Sequence, residues 1–137
     1  MRLHHIGILV KDIPEASELY IKRFGYRCKT GVVHDPVQGA HVQFIELPGD
    51  RVYLELLTPD GPSSHLNKAM SKNGGIHHLC YAVADIESAC GHLRDNGMSL
   101  VRAPVKAVAF KGRRIAWLMG RDRTLTEVVE EGHEGEI

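Results

Sequence analysis

Four residues stand out for their chemistry: two histidines and two glutamates, each repeated once along the chain. The stretch His4-His5-Ile6-Gly7-Ile8-Leu9-Val10-Lys11-Asp12-Ile13 recurs 73 positions later as His77-His78-Leu79-Cys80-Tyr81-Ala82-Val83-Ala84-Asp85-Ile86. Each copy is followed by an apolar strand with one acid in its middle, Tyr53-Leu54-Glu55-Leu56-Leu57 and Leu125-Thr126-Glu127-Val128-Val129. An acid inside an apolar strand needs a partner, because burying an unpaired carboxylate is costly. Side chains alternate along a strand, so His5 shares a face with Gly7 and Leu9, and His78 with Cys80 and Ala82. Superposing the copies puts His5 on His78, with Glu55 and Glu127 one step apart. The expected constellation is His5, Glu55, His78 and Glu127, a mixed nitrogen and oxygen site for one divalent ion such as Zn, Ni, Co or Mn. A single histidine near a strand end is usually structural, and His4 and His77, pointing the other way, are read so. The repetition of the acid together with the histidine is what favours metal.

The elements that must carry these residues follow from pattern. Residues 3–10 read as a strand ending at Lys11-Asp12. Asp12 is a good N-cap, Pro14 suits a first helical turn, and Glu15 can close a capping box. Ile13, Ala16, Leu19, Tyr20 and Phe24 then fall at helical spacing and predict an apolar face, with Gly25 as the stop. Strands are expected over residues 26–33, 41–47 and 52–58, with Pro48-Gly49-Asp50 as a turn. A short linking helix is expected over 63–72. The second copy predicts a strand over 76–83, a helix capped by Asp85, a turn at Asn96-Gly97, and strands near 99–105, 114–119 and 125–129. The fold class is α+β: two tandem βαβββ modules forming curved mixed sheets around a metal-binding cleft. Module one spans residues 1–60, the linker 61–74 and module two 75–132, all within one domain, and residues 133–137 are expected to form a flexible tail.

Composition narrows the function classes. The 137 residues are 43% apolar and 25% charged, with 17 basic and 17 acidic side chains. A balanced charge argues against nucleic acid or an anionic membrane as the main partner. No apolar run nears the ~20 residues that a spanning helix needs. Three widely spaced cysteines point to reduced thiols and a cytoplasmic setting.

With these residues in hand, the chain resembles the vicinal oxygen chelate superfamily, which includes glyoxalase I, methylmalonyl-CoA epimerase, bleomycin-resistance proteins and extradiol dioxygenases. The resemblance covers residues 3 to 131. It rests on His5-Ile6-Gly7-Ile8-Leu9-Val10, Glu55-Leu56-Leu57-Thr58-Pro59, Gly75-Ile76-His77-His78-Leu79-Cys80 and Glu127-Val128-Val129. These look most like the methylmalonyl-CoA epimerase branch and its short bacterial glyoxalase-like relatives. The resemblance implies that His5, Glu55, His78 and Glu127 are the metal ligands. It also implies an isomerase or lyase that moves a proton beside the carbonyl of a thioester or thiohemiacetal, and a homodimer. Glu127 or Glu55 would carry the proton. Lactoylglutathione lyase is the alternative enzyme, and a non-catalytic small-molecule binder or resistance protein is the alternative of another class.

For the substrate-facing wall, Gln43 and Trp117 are the candidates, Trp117 matching Phe44 in the repeat and forming either core or pocket wall. Lys106, Lys111, Arg113 and Arg114 make a basic loop. Arg113 and Arg114 either hold a substrate carboxylate or the phosphates of a CoA ester, or belong to a solvated strand edge.

Overall fold

The capping residues set the helices where the sequence puts them. In the computed structural model, which describes residues 1–137, Asp12 is extended and its side chain accepts a hydrogen bond from the Glu15 amide at 2.8 Å. Helix α1 (Ile13–Phe24) starts there and stops at Gly25, which is left-handed at φ 79°. Asp85 does the same for a second helix, accepting from the Ser88 amide at 2.7 Å.

The chain forms a mixed α+β fold that divides into two compact units, residues 5–77 and residues 78–137 with Met1–His4. In the first unit the strands are β1 (Arg2–Leu9), β2 (Arg27–Cys28), β3 (Val33–Asp35), β4 (Ala40–Glu46) and β5 (Tyr53–Pro59), with α1 between β1 and β2. They pair in the order β2-β4-β5-β1, with β3 also on β4. The β1/β5 pair is parallel and β4/β5 antiparallel. The single strand expected over 26–33 is not formed: β2 covers only Arg27–Cys28 and β3 begins at Val33, with the Lys29 and Thr30 amides between them donating to the Phe44 carbonyl. Helix α1 covers Ile45, Leu54 and Leu56 with Ile13, Ala16 and Tyr20. The remainder of its predicted apolar face is not core: Leu19 is 40% and Phe24 60% exposed. A single helix on a narrow sheet buries only the stripe that meets the strands, whatever the width of its apolar arc.

The linking helix α2 is a single turn, Asn67–Met70, shorter than the predicted 63–72. Flanking turns replace the rest, with the Asn67 side-chain Nδ2 donating to the Gly61, Pro62 and Ser64 carbonyls. The link to the next strand passes Gly74, at φ 65°, where a Cβ would sit 2.5 Å from the Leu9 carbonyl oxygen. Only glycine allows that approach.

The second unit repeats the plan with β6 (Gly75–Val83), α3 (Ile86–Asp95), β7 (Ser99–Lys106), a 3-10 turn at Val108–Phe110, β8 (Arg114–Met119) and β9 (Leu125–Glu130). The strands pair in the order β6-β9-β8-β7, with β6/β9 parallel and the others antiparallel. Ile86, Ala89 and Cys90 of α3 pack on Val83, Ala116, Leu118 and Val128. In both units, alternation then sends the other set of strand residues to the sheet face away from the helix. No helix is long and apolar enough to cross a membrane.

Candidate metal centre

Each unit buries one histidine–glutamate pair on the sheet face away from its helix, and the two pairs are built alike. In the first unit Glu55 lies opposite Gly7 in the parallel β1/β5 register, so it shares a face with Gly7 and with His5 two residues earlier. His5 Nε2 stands 3.4 Å from Glu55 Oε2, with the two side chains 0% and 7% exposed. In the second unit Glu127 lies opposite Cys80, two residues after His78. His78 Nε2 stands 3.1 Å from Glu127 Oε2, the side chains being 1% and 3% exposed. The one-residue offset seen in the sequence disappears in the structure. Six residues (47–52) join β4 to β5 and five (120–124) join β8 to β9, so the shorter turn absorbs the difference and the register is kept.

An aromatic ring holds each imidazole edge-on. Phe44 lies opposite Glu55 and meets His5 at 5.2 Å and 79°. Trp117 lies opposite Glu127 and meets His78 at 4.7 Å and 81°. The sequence reading matched Trp117 to Phe44 but gave Phe44 no part in the site. Their shared 73-residue spacing with His5 and His78 was the available signal.

The donor chemistry fits a divalent cation. Both imidazoles present Nε2, and both carboxylates are buried. Two donors that share an ion at about 2.0–2.2 Å and near a right angle stand ~3 Å apart. The 3.1 and 3.4 Å separations match that spacing. Each pair so far offers one nitrogen and one oxygen.

Other predicted residues fall elsewhere. His4 is buried and meets Phe110 edge-on at 5.7 Å, in keeping with a structural role. Gln43 lies opposite Leu56, on the helix face of its sheet, so parity carries it away from Glu55; its amide donates to the Thr30 carbonyl at 3.0 Å. Arg114 is saturated by acids: Nε donates to Glu130 Oε1 at 2.8 Å, its amide to Glu130 Oε2 at 2.8 Å, and Nη2 to Glu87 Oε2 at 3.1 Å, with Nη1 also on Glu87. Those bonds pull it out of the predicted basic loop. Arg113 is also engaged by its own chain. It donates to the carbonyls of Phe110 (3.3 Å), Glu130 (3.0 Å) and Ile137, and lies over the Phe110 ring at 5.4 Å. Through the Ile137 bond residues 133–137, expected from the sequence to form a flexible tail, fold back onto the guanidinium.

Hydrogen bonds from Arg114 hold the Glu130 carboxyl below the ordinary 4.5, against the opposing pull of burial. The same guanidinium lowers Glu87. Because the folded state releases these protons more readily than the unfolded state, the pairs stabilise the fold above pH 4.5 and lose that contribution as pH falls through the lower folded values. Glu130→Gln is therefore expected to flatten the acid side of the stability curve as pH falls below 4.5, read from urea midpoints on either side of that pH. An unchanged acid slope would show that this carboxylate does not govern it.

Two half-sheets with repeat-related histidine–glutamate pairs on their helix-free faces define a class. The sequence matches the profile of the Glyoxalase/Bleomycin resistance protein/Dioxygenase superfamily over residues 4–117, and the chain belongs to that family. Within it, the protein is similar to ethylmalonyl-CoA/methylmalonyl-CoA epimerase of Cereibacter sphaeroides, 34% identical over 124 residues that span 88% of this chain and 90% of that protein. Among solved structures, methylmalonyl-CoA epimerase from Mycobacterium tuberculosis superposes with a TM-score of 0.85 at 28% identity, covering 97% of this chain and 89% of that one. A variant of the Streptomyces coelicolor methylmalonyl-CoA epimerase, in complex with 2-nitronate-propionyl-CoA, superposes with a TM-score of 0.84 at 27% identity, covering 97% of this chain and 99% of that one.

Proposed function

We propose that this protein is an epimerase that moves a proton at the carbon beside the carbonyl of a CoA thioester, and that His5, Glu55, His78 and Glu127 together hold one divalent ion. The observation that carries the reading is the pair of repeat-related, buried Nε2–carboxylate contacts at 3.4 and 3.1 Å. Two imidazoles and two carboxylates make a mixed nitrogen and oxygen ligand set that would suit a divalent ion and would leave room for a substrate oxygen. Similarity to epimerases whose substrates are acyl-CoA esters supports the substrate class. The homodimer expected from the sequence belongs to the same reading, and sedimentation equilibrium reads it directly.

A divalent ion in such a site supplies Lewis acidity toward a carbonyl oxygen and makes negative charge there less costly. The chain does the rest. Phe44 and Trp117 fix the two imidazoles with Nε2 forward and shield them from water. Glu127 and Glu55 are the bases within reach of the ligand positions, and they take the α-proton and return it. Return to the opposite face of the planar carbon inverts the centre.

The test is solvent exchange. Methylmalonyl-CoA in deuterated water is expected to gain one deuterium at its α-carbon with the protein carrying about one transition-metal ion per chain, and the exchange should stop on chelation and return on adding back the ion. Methylglyoxal with glutathione is the companion assay. Thioester formation there without exchange on the CoA ester would replace the epimerase by the lyase. A chain that takes up no Zn, Ni, Co or Mn would remove both readings in favour of a small-molecule binder.

A further inference from the structure

The second unit holds a half-buried cation, Arg113, on the face that carries His78 and Glu127, and residues 132–137 lie over it. Ile115 lies opposite Val129 and Trp117 opposite Glu127, so odd-numbered residues of β8 project to that face. Arg113 continues the odd series just before the strand, and its backbone is pinned at both ends. Its carbonyl accepts from Ala107 at 3.1 Å and its amide donates to Phe110 at 3.1 Å. The side chain is only 16% exposed. None of its partners holds it by two parallel bonds: it donates to the carbonyls of Phe110 and Glu130 and to a main-chain oxygen of Ile137, and the Glu136 carboxylate stands at 3.8 Å. A guanidinium is matched far better by two parallel bonds to one carboxylate or phosphate. Burial lowers the Arg113 pKa from its ordinary value, while Glu136, Cys80 and Glu130 act in the opposite direction.

The cover is lightly held. After the Glu131 amide donates to Val83 at 2.9 Å, the tail's remaining backbone bond is internal, Glu136 to the His133 carbonyl at 3.1 Å. Gly132 lies so close over Arg113 that a Cβ there would fall 2.6 Å from Nη1. The last two residues supply the Ile137 carbonyl and the Glu136 carboxylate to the guanidinium. Few bonds and little burial mean a low local opening free energy.

We propose that Arg113 is a receptor for an anionic oxygen group of the substrate, and that residues 132–137 occupy it as an exchangeable stand-in that the incoming group displaces. The identity of that group rests on the CoA-thioester reading, since an acyl carboxylate and the CoA phosphates both offer the chemistry. The exchange itself does not depend on turnover.

Two probes separate the sources, malonate for the carboxylate and coenzyme A for the phosphates. Each is titrated to about 10 mM, a range that covers weak millimolar binding. Displacement is read by cleavage after Glu134 with a glutamate-specific protease and by the fluorescence of Trp117, the single tryptophan. One probe is expected to speed cleavage about 10-fold, and deletion of residues 133–137 is expected to tighten that probe about 10-fold by removing the competitor. Arg113→Gln should release the tail without any probe. Malonate as the active probe assigns the acyl carboxylate, and coenzyme A assigns the phosphates. If neither probe changes cleavage, or the truncated chain binds both as the full chain does, or Arg113→Gln leaves the tail as protected as before, the stand-in is refuted. Any of these results can coexist with full epimerase activity, and tail exchange can coexist with none, so the two ideas fail separately.

Discussion

Replacing His78 with alanine is expected to abolish stoichiometric divalent-metal binding and to lower turnover by more than about 100-fold, since losing a ligand exceeds the 10–100-fold typical of losing a group that merely supports one. His78 is 2% exposed, 3.1 Å from Glu127 and edge-on to Trp117. The substitution also empties a packed volume and strands a buried carboxylate, which together should cost about 2–4 kcal/mol of stability. Metal content by mass spectrometry and a thermal melt read the two effects. His77→Ala is the matched control: one residue away and half-buried, it projects from the opposite face of β6 and should keep its metal. A His78→Ala protein that still carries one ion per chain would show that the second pair is not part of the centre.

Glu127→Gln is expected to separate chemistry from folding. Glutamine keeps the shape of the side chain, and its amide can either donate to or accept from the Nε2 that the carboxylate faces at 3.1 Å. The melting temperature should therefore stay close to that of the parent, a change of less than about 1 kcal/mol. Proton transfer needs the charge, and its loss should slow α-deuterium exchange by about 10²–10⁴-fold. Metal affinity should also fall, because an amide oxygen is a weaker donor than a carboxylate, so exchange is measured with the ion in excess. Full exchange at saturating metal would assign the base to Glu55, which Glu55→Gln would then confirm or exclude.

Much of this could be read along the chain because it depends on near neighbours. Asp12 and Asp85 begin helices by bonding an amide three residues on, and a local bond of that kind is visible as a local motif. His5, Glu55, His78 and Glu127 were legible for another reason. A buried acid in an apolar strand breaks the pattern, and the repeat broke it twice at matching places. The family follows from the same residues and from the profile match. The single strand expected over 26–33 failed because propensity cannot see that Lys29 and Thr30 turn in to bond Phe44, a residue 14 positions or more away.

What the tertiary structure alone decided is parity and partnership. Gln43 and Phe44 are adjacent in sequence, yet the β4/β5 register sends Phe44 to Glu55 and Gln43 to the helix side. A shift of one residue would exchange them, and nothing local fixes that choice. Arg113 and Arg114 look alike in sequence and were grouped as one basic loop. Folding gives Arg114 to Glu87 and Glu130 and turns Arg113 to the other side, under residues that follow it by about 20 positions. Whether a surface charge is free for a ligand depends on which distant acids the fold delivers to it, and that is set by chain closure, not by the residue's own neighbourhood. The sequence by itself determined the mixed α+β class, the helix caps and the two repeat-related histidine and glutamate positions. The structure determined which face each strand residue takes and which cations the chain has already neutralised.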